Sequence, residues 1–159
     1  MAKMLVCYYS KTQHTAHLAE AVAEGARRVA GVTVDVKAVH QAPVEELPDY
    51  DAIVVGSPTY YGTMAGPIKQ WLDESVSLHG QLKGKVGGAF ASSGNIAGGG
   101  ETTILSILQG LLIHGMVVAG TPKGSHYGPV AIGKADERAR TEARDYGKML
   151  AELAVKLFG

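Results

Sequence analysis

Short apolar runs recur along the chain and predict five β-strands. Four of them are apolar on both faces, which is typical of parallel strands buried between two layers of helices. The second run alternates valine with polar residues, so we expect an edge strand with one solvated face. The predicted strands are residues 4–9, 32–39, 52–56, 86–92 and 116–119.

Stripes of apolar residues with helical spacing lie between most of these runs and predict four helices. The stripes run through residues 18–29, 68–76, 104–112 and 136–158, whereas segment 41–50 is too short and proline-broken for a full helix. The alternation predicts an α/β three-layer sandwich around a five-stranded parallel sheet of order 2-1-3-4-5. Ligands bind such sheets at the carboxyl ends of the strands, so the turns after strands one, three and four are candidate sites.

Composition and charge narrow the class of protein. The 159 residues have the usual size of one domain, which we expect to span residues 1–159. Lys and Arg number 15 and Asp and Glu number 15, and this balance disfavours a nucleic-acid binder. The only cysteine, Cys7, permits no internal disulfide and fits a cytoplasmic protein. No apolar run reaches the ~20 residues of a membrane span, so we expect none.

The loop after the first strand, residues 10–15, predicts an anion site. Its hydroxyl groups and backbone N–H groups stand at the start of a helix, where the N–H groups lack partners and the helix dipole is positive. It lacks the glycine pattern of a nucleoside-triphosphate loop or of a dinucleotide turn. The alternative is plain helix capping by Ser10 or Thr12.

Two further loops complete the candidate site. The second loop, residues 57–64, places two adjacent tyrosines between Pro58 and Gly62, and their faces could stack on a planar ligand. The alternative is a tyrosine pair that only covers the helix below. The third loop, residues 92–100, is small, polar and rich in glycine, which suits close backbone approach to a ligand but also a flexible loop. All three loops are expected at one edge of the sheet.

These stretches together make the chain similar to a known family. Residues 3–10, 49–59, 62–66, 71–73, 98–101, 114–116 and 153–157 resemble the flavodoxin fold and, within it, the WrbA-like NAD(P)H:quinone oxidoreductases. The resemblance implies a flavodoxin-like fold, bound FMN and NAD(P)H as co-substrate. It also implies a quinone or similar small acceptor and a homo-oligomer, either a dimer or a tetramer.

The resemblance also implies roles for individual residues. The residues that match FMN-phosphate positions are Ser10, Thr12, Gln13, His14 and Thr15, with Lys11 in the same loop. The residues that match the loop along the isoalloxazine ring are Pro58, Thr59, Tyr60, Tyr61, Gly62 and Thr63. Those that match the loop on its other side are Ser92, Ser93, Gly94, Asn95 and Gly98. Tyr61 and His114 are the expected catalytic residues beside the substrate.

The chain departs from the family pattern in two ways. Gln13 stands where the family usually has glycine, and glutamine is strained if that position needs a positive φ. The chain also lacks family insertions between strands two and three and in the strand-five region, on which the family's tetramer depends. His14 and His17 have metal-like spacing on the first helix but no acidic or cysteine partner, so we expect no metal.

Three functions remain open from the sequence. The first is an FMN enzyme that passes hydride from NAD(P)H to a quinone, with the cofactor supplying the chemistry. The second is a flavodoxin-type electron carrier, although such carriers are typically acidic and this chain is neutral. The third is a scaffold without flavin, whose main support is Gln13.

Overall fold

The sheet has seven strands, and the computed structural model describes all residues, 1–159. The strands are β1 (Ala2–Tyr8), β2 (Val32–Ala38), β3 (Ala52–Tyr60), β4 (Thr63–Met64), β5 (Val86–Ser93), β6 (Val117–Val118) and β7 (Val130–Ile132). The main sheet has the order β2-β1-β3-β5-β6, and all neighbours along it are parallel. The predicted order 2-1-3-4-5 is therefore confirmed, with β5 as the predicted fourth strand.

The strands at the two ends of the sheet refine the prediction. The predicted fifth strand, residues 116–119, corresponds to β6, and a further strand, β7, also pairs in parallel with β5. Sequence reasoning missed β7, because its three residues are too few to give a periodic signal. It also missed β4, a two-residue strand that pairs antiparallel with the end of β3. The residues of β2 are half-buried or exposed, as expected for an edge strand.

The helices cover both faces of the sheet. They are α1 (His14–Ala26), α2 (Gly66–Glu74), α3 (Gly100–Ile113) and α4 (Glu137–Phe158), with short 3-10 helices at Val39–Gln41, Val44–Asp49 and Ser75–Leu78. The segment between β2 and β3 thus has no full helix, as the sequence predicted. No helix of the chain has both the length and the apolar character needed to cross a membrane.

Alternating residues of the strands form two separate cores. Met4 and Val6 of β1 belong to a core of 21 buried residues beneath α1 and α4. Leu5 and Cys7 belong to a core of 19 buried residues beneath α2 and α3. This division is what a pleated strand covered on both faces requires. Burial raises the pKa of Cys7 to about 12, which fits its interpretation as a small core residue.

Two of the 21 glycines of the chain serve packing away from the candidate site. A Cβ atom on Gly147 of α4 would collide with the carbonyl oxygen of Val22 in α1. A Cβ atom on Gly25 of α1 would collide in turn with the carbonyl oxygen of Arg144. The backbones of α1 and α4 therefore pack directly against each other at these two glycines, with no side chain between them.

Candidate functional site

The first loop presents a row of backbone donors at the start of α1. The N–H groups of residues 11–15 make no hydrogen bond within the protein, whereas the next one, of Ala16, donates to Oγ of Ser10 at 3.3 Å. The capping alternative is therefore correct for the Ser10 side chain, but it satisfies only one donor. Five consecutive open N–H groups at a positive helix end form a cradle for an anion such as a phosphate.

Gln13 has a left-handed backbone in this cradle. It is the N-cap of α1 with φ of 69°, and its side chain makes no capping hydrogen bond. This is the conformation in which glycine is at ease and a residue with a Cβ atom is strained. The side chains of Lys11, Thr12 and Gln13 are exposed, and that of His14 is half-buried.

Thr15 has a different surrounding from the rest of the first loop. Its side chain is buried, and its Oγ1 atom lies 2.8 Å from Oγ of Ser92, which is also buried. The two hydroxyls join the first loop to the start of the third. The Thr15 side chain thus links two loops beneath the site, whereas its backbone N–H makes no hydrogen bond within the protein.

The second loop is a tight β-hairpin, which we call the tyrosine hairpin (residues 59–64). Thr59 pairs with Met64 and Tyr60 with Thr63, so Tyr61 and Gly62 form a two-residue turn. Both turn residues have positive φ, 50° and 81°, as a type I′ turn requires. The side chain of Tyr61 is fully exposed at the tip. The hairpin raises an aromatic wall at the carboxyl edge of β3.

Hydroxyl groups from α3 hold this hairpin in place, and sequence reasoning missed them. Thr102 Oγ1 donates to the carbonyl oxygen of Gly62 at 2.6 Å. Thr103 Oγ1 donates to Oγ1 of Thr59 at 3.0 Å, and the Met64 N–H donates to Oγ of Ser106 at 3.3 Å. The signal in the sequence was the spacing 102, 103 and 106, which places three hydroxyl residues on one side of a helix.

The third loop runs beside the other two, and two of its four glycines are exposed. Ser92 and Ser93 are buried, and Oγ of Ser93 donates to the carbonyl oxygen of Asn95 at 3.1 Å. Gly94, Asn95 and Gly98 are exposed. A cavity of about 520 Å³ opens on the outer side of this loop, lined among others by Asn95, Tyr127 and Arg138. Sequence reasoning missed Tyr127 and Arg138, which lie on either side of the undetected strand β7.

The structure corrects the expected place of His114. It is the C-cap of α3, a helix of 14 residues that starts at the third loop and leads away from it. At 1.5 Å per residue, His114 lies roughly 20 Å along the helix from that loop. The neighbouring Gly115 accepts a hydrogen bond from the N–H of Gly84, just before β5 begins. Within one chain His114 is therefore at the opposite edge of the sheet from the three loops.

His114 is held as a neutral, buried imidazole. Its Nε2 atom lies 2.7 Å from Oγ of Ser75, and that hydroxyl donates to the carbonyl oxygen of Leu72. The Ser75 oxygen must then accept the proton of Nε2, which leaves Nδ1 as a buried acceptor without a partner. Burial, and secondly the nearby His79, lower the pKa of His114 below its ordinary value.

The three loops fit the FMN that the sequence predicts. The first loop supplies donors for a phosphate, the tyrosine hairpin an exposed aromatic wall, and the third loop an exposed glycine-rich backbone. The expected residues of all three loops stand at one edge of the sheet, and only His114 does not. No group of three or more His, Cys, Asp or Glu side chains is arranged to hold a metal ion.

Comparisons with known proteins show which proteins the chain is similar to. Residues 4–125 match the family model described as NADPH-dependent FMN reductase. The chain is 40% identical over 200 aligned positions to an NAD(P)H dehydrogenase (quinone) of Nitrobacter winogradskyi, with all of both chains covered. That alignment is longer than the 159 residues of this chain, which agrees with the expected lack of family insertions.

Solved structures give the same picture of the fold. A flavodoxin, WrbA-like protein from Agrobacterium tumefaciens superposes with a TM-score of 0.84 at 27% identity, covering 98% of this chain and 99% of that one. A flavodoxin from the domain Archaea superposes with a TM-score of 0.81 at 29% identity, covering 96% and 98%.

Proposed function

The chain belongs to the NADPH-dependent FMN reductase family, and from this premise we propose that it is an FMN-dependent oxidoreductase that transfers hydride from NAD(P)H to a quinone. The observation that carries the proposal is the row of five open N–H groups in residues 11–15, next to an exposed tyrosine wall. A phosphate and an adjoining planar ring are the chemical features that such an arrangement recognises.

Each loop has a distinct part in holding the cofactor. The backbone of residues 11–15 would bind the phosphate, with the positive end of the α1 dipole adding to the attraction. Tyr60 and Tyr61 would cover one side of the ring, and the backbone near Gly94 and Asn95 would follow the other. Bound FMN supplies the chemistry of accepting and donating a hydride.

The protein contributes orientation and access to that chemistry. The fully exposed side chain of Tyr61 stands at the rim of the site, where it would contact an incoming nicotinamide or quinone. Thr15 and Ser92 join the bases of the first and third loops with a buried hydrogen bond. His114 takes no part in the site of its own chain, because it lies at the far end of α3.

An electron carrier is the second candidate function, since the archaeal flavodoxin is similar over nearly the whole chain. The balance of 15 basic against 15 acidic residues favours the enzyme, because carriers of this fold rely on a strong acidic surface to find their partners. A carrier would bind FMN without oxidising NAD(P)H.

Self-association is part of the proposal. The apolar side chains of Val76, Leu112 and Ile113 are more than half exposed, at 72%, 52% and 74%. Burial of such side chains between copies of the chain would favour a homo-oligomer. Sedimentation of the purified protein should give a mass of at least two chains, and a monomer at micromolar concentration would contradict this. We also propose a cytoplasmic location.

Two measurements test the function. FMN is titrated into the FMN-free protein, and tight binding with quenched flavin fluorescence is expected. NADH or NADPH oxidation is then followed with p-benzoquinone as acceptor, and free FMN at the same concentration is the control. Turnover well above the control supports the enzyme, turnover equal to the control with tight FMN binding supports the carrier, and absence of FMN binding excludes both.

A further inference from the structure

One hydroxyl group stands at the junction of the tyrosine hairpin and the third loop. Oγ1 of Thr102 lies 2.6 Å from the carbonyl oxygen of Gly62 and 3.0 Å from that of Gly99. Gly62 is in the turn of the hairpin, and Gly99 is the last residue of the third loop before α3. The same side chain therefore contacts both loops that flank the predicted ring site.

The two loops also touch each other at this junction. A Cβ atom on Gly99 would lie 2.9 Å from the Cα atom of Gly62 and 3.2 Å from Oγ1 of Thr102. Gly99 has φ of 104°, which residues with a side chain rarely adopt. The junction thus has room for the Thr102 hydroxyl and for no further side chain.

The tyrosine hairpin needs support from outside itself. It has only two residue pairs, and a short isolated hairpin is marginally stable in water. Its turn also holds Tyr61 at φ of 50°, a conformation that a bulky residue adopts at an energetic cost. Among the three α3 hydroxyls, Thr102 is the one that reaches the turn, where no pairing between the strands is present.

We propose that Thr102 is a positioning residue that fixes the tyrosine hairpin against the third loop and so sets the spacing of the two walls of the flavin-ring site. This inference rests on the proposed function, since it concerns how the ring of FMN is held. The Thr102 side chain does not act on the phosphate, which belongs to the first loop. Loss of its hydroxyl should weaken binding of the ring alone.

The test compares T102V with wild type. Valine keeps the shape of threonine but cannot donate, T102S retains the hydroxyl, and T141V is the matched control on an exposed face of α4. Dissociation constants are measured for FMN and for riboflavin, which has the ring without the phosphate. Amide hydrogen exchange of residues 60–64 is measured without flavin.

The expected result is specific to the ring. T102V should raise both dissociation constants by the same factor, roughly two- to fivefold, and speed exchange of the hairpin amides by a similar factor, as loss of one net hydrogen bond predicts. T102S should restore both values and T141V should change neither. A loss for FMN without a loss for riboflavin, or no change in hairpin exchange, would overturn the inference.

The inference and the proposed function fail in different ways. If wild type binds FMN and T102V binds both flavins as wild type does, the function stands and the role of Thr102 is overturned. If wild type binds neither flavin, the proposed function fails, and the inference fails with it even where hairpin exchange responds to T102V.

Discussion

Thr15 and Ser92 share a buried hydrogen bond across 77 residues of chain, with 2.8 Å between Oγ1 and Oγ. Thr15 lies in the first turn of α1, and Ser92 lies near the end of β5. Each hydroxyl is the only hydrogen-bond partner that the other side chain has. The bond therefore couples two of the three loops of the site at their base. We expect its loss to lower the stability of the fold more than it changes the reaction at the site.

A double-mutant cycle measures this coupling. T15V and S92A should each lower the free energy of unfolding by about 1–3 kcal/mol, because each leaves a buried hydroxyl without a partner. The double variant should lose about 1 kcal/mol less than the sum of the two. Urea unfolding of the FMN-free protein gives the values. T12V, at an exposed position of the same loop, is the control, and strict additivity of the two changes would contradict the coupling.

Gln13 offers a test of backbone strain in the phosphate cradle. Q13G should be more stable than Q13A by about 1 kcal/mol, because alanine keeps a Cβ atom in the left-handed region that Gln13 occupies. Urea unfolding measures the difference. Both variants should bind FMN within about twofold of one another, since the backbone N–H groups make the predicted contacts. Equal stability of the two variants would show that φ at this position is not strained.

The sequence was sufficient for the sheet order and for the three loops. Continuous apolar runs predict buried parallel strands. Polar or glycine-rich residues follow directly after β1, β3 and β5, and this pattern indicates which edge of the sheet carries the site. The placement of His114 could not be found in this way. The periodicity of a helix indicates which face a residue lies on. It does not indicate at which edge of the sheet the far end of a long helix lies.

The remaining features depend on contacts between distant segments. The hydrogen bonds of Thr102 and Thr103 to the tyrosine hairpin join residues 40 and 44 positions apart. The spacing of the hydroxyl residues along α3 indicates a shared helix face but not the segment that this face contacts. Gly62 and Gly99 lie in loops at the edge of the sheet that carries the candidate site. Gly25 and Gly147 instead allow α1 and α4 to meet, and composition cannot distinguish these two uses.

The contact of α1 with α4 makes Gly147 intolerant of a side chain. G147A should lower the free energy of unfolding by more than about 2 kcal/mol, because the new methyl group collides with the backbone of Val22 and the helices must move apart. G66A is the control, since a Cβ atom there meets no other atom within 4 Å. Urea unfolding compares the two. A loss at Gly147 no larger than that at Gly66 would contradict the close approach.

The buried His114 predicts how stability depends on pH. Its pKa is lowered in the folded protein, so below the unfolded value of about 6.5 the unfolded chain binds a proton that the folded chain does not. The stability that this neutral histidine contributes is present above pH ~6.5 and is lost as pH falls toward the folded pKa. Burial, and secondly the nearby His79, lower the pKa of His114, and protonation at Nδ1 would in addition bury a donor without a partner.

H114Q removes this titration while keeping a polar side chain near Ser75. The free energy of unfolding, measured by urea at pH 7.5 and pH 5.5, should fall with acidification in wild type and fall less in H114Q. H79Q is measured beside it, and the ion pair of Lys69 with Asp73 in the same groove is unchanged in both variants. Because H79Q removes the second cause of the lowered pKa, it should reduce the acid loss less than H114Q does. An equal acid loss in wild type and H114Q would place the pH dependence elsewhere in the chain.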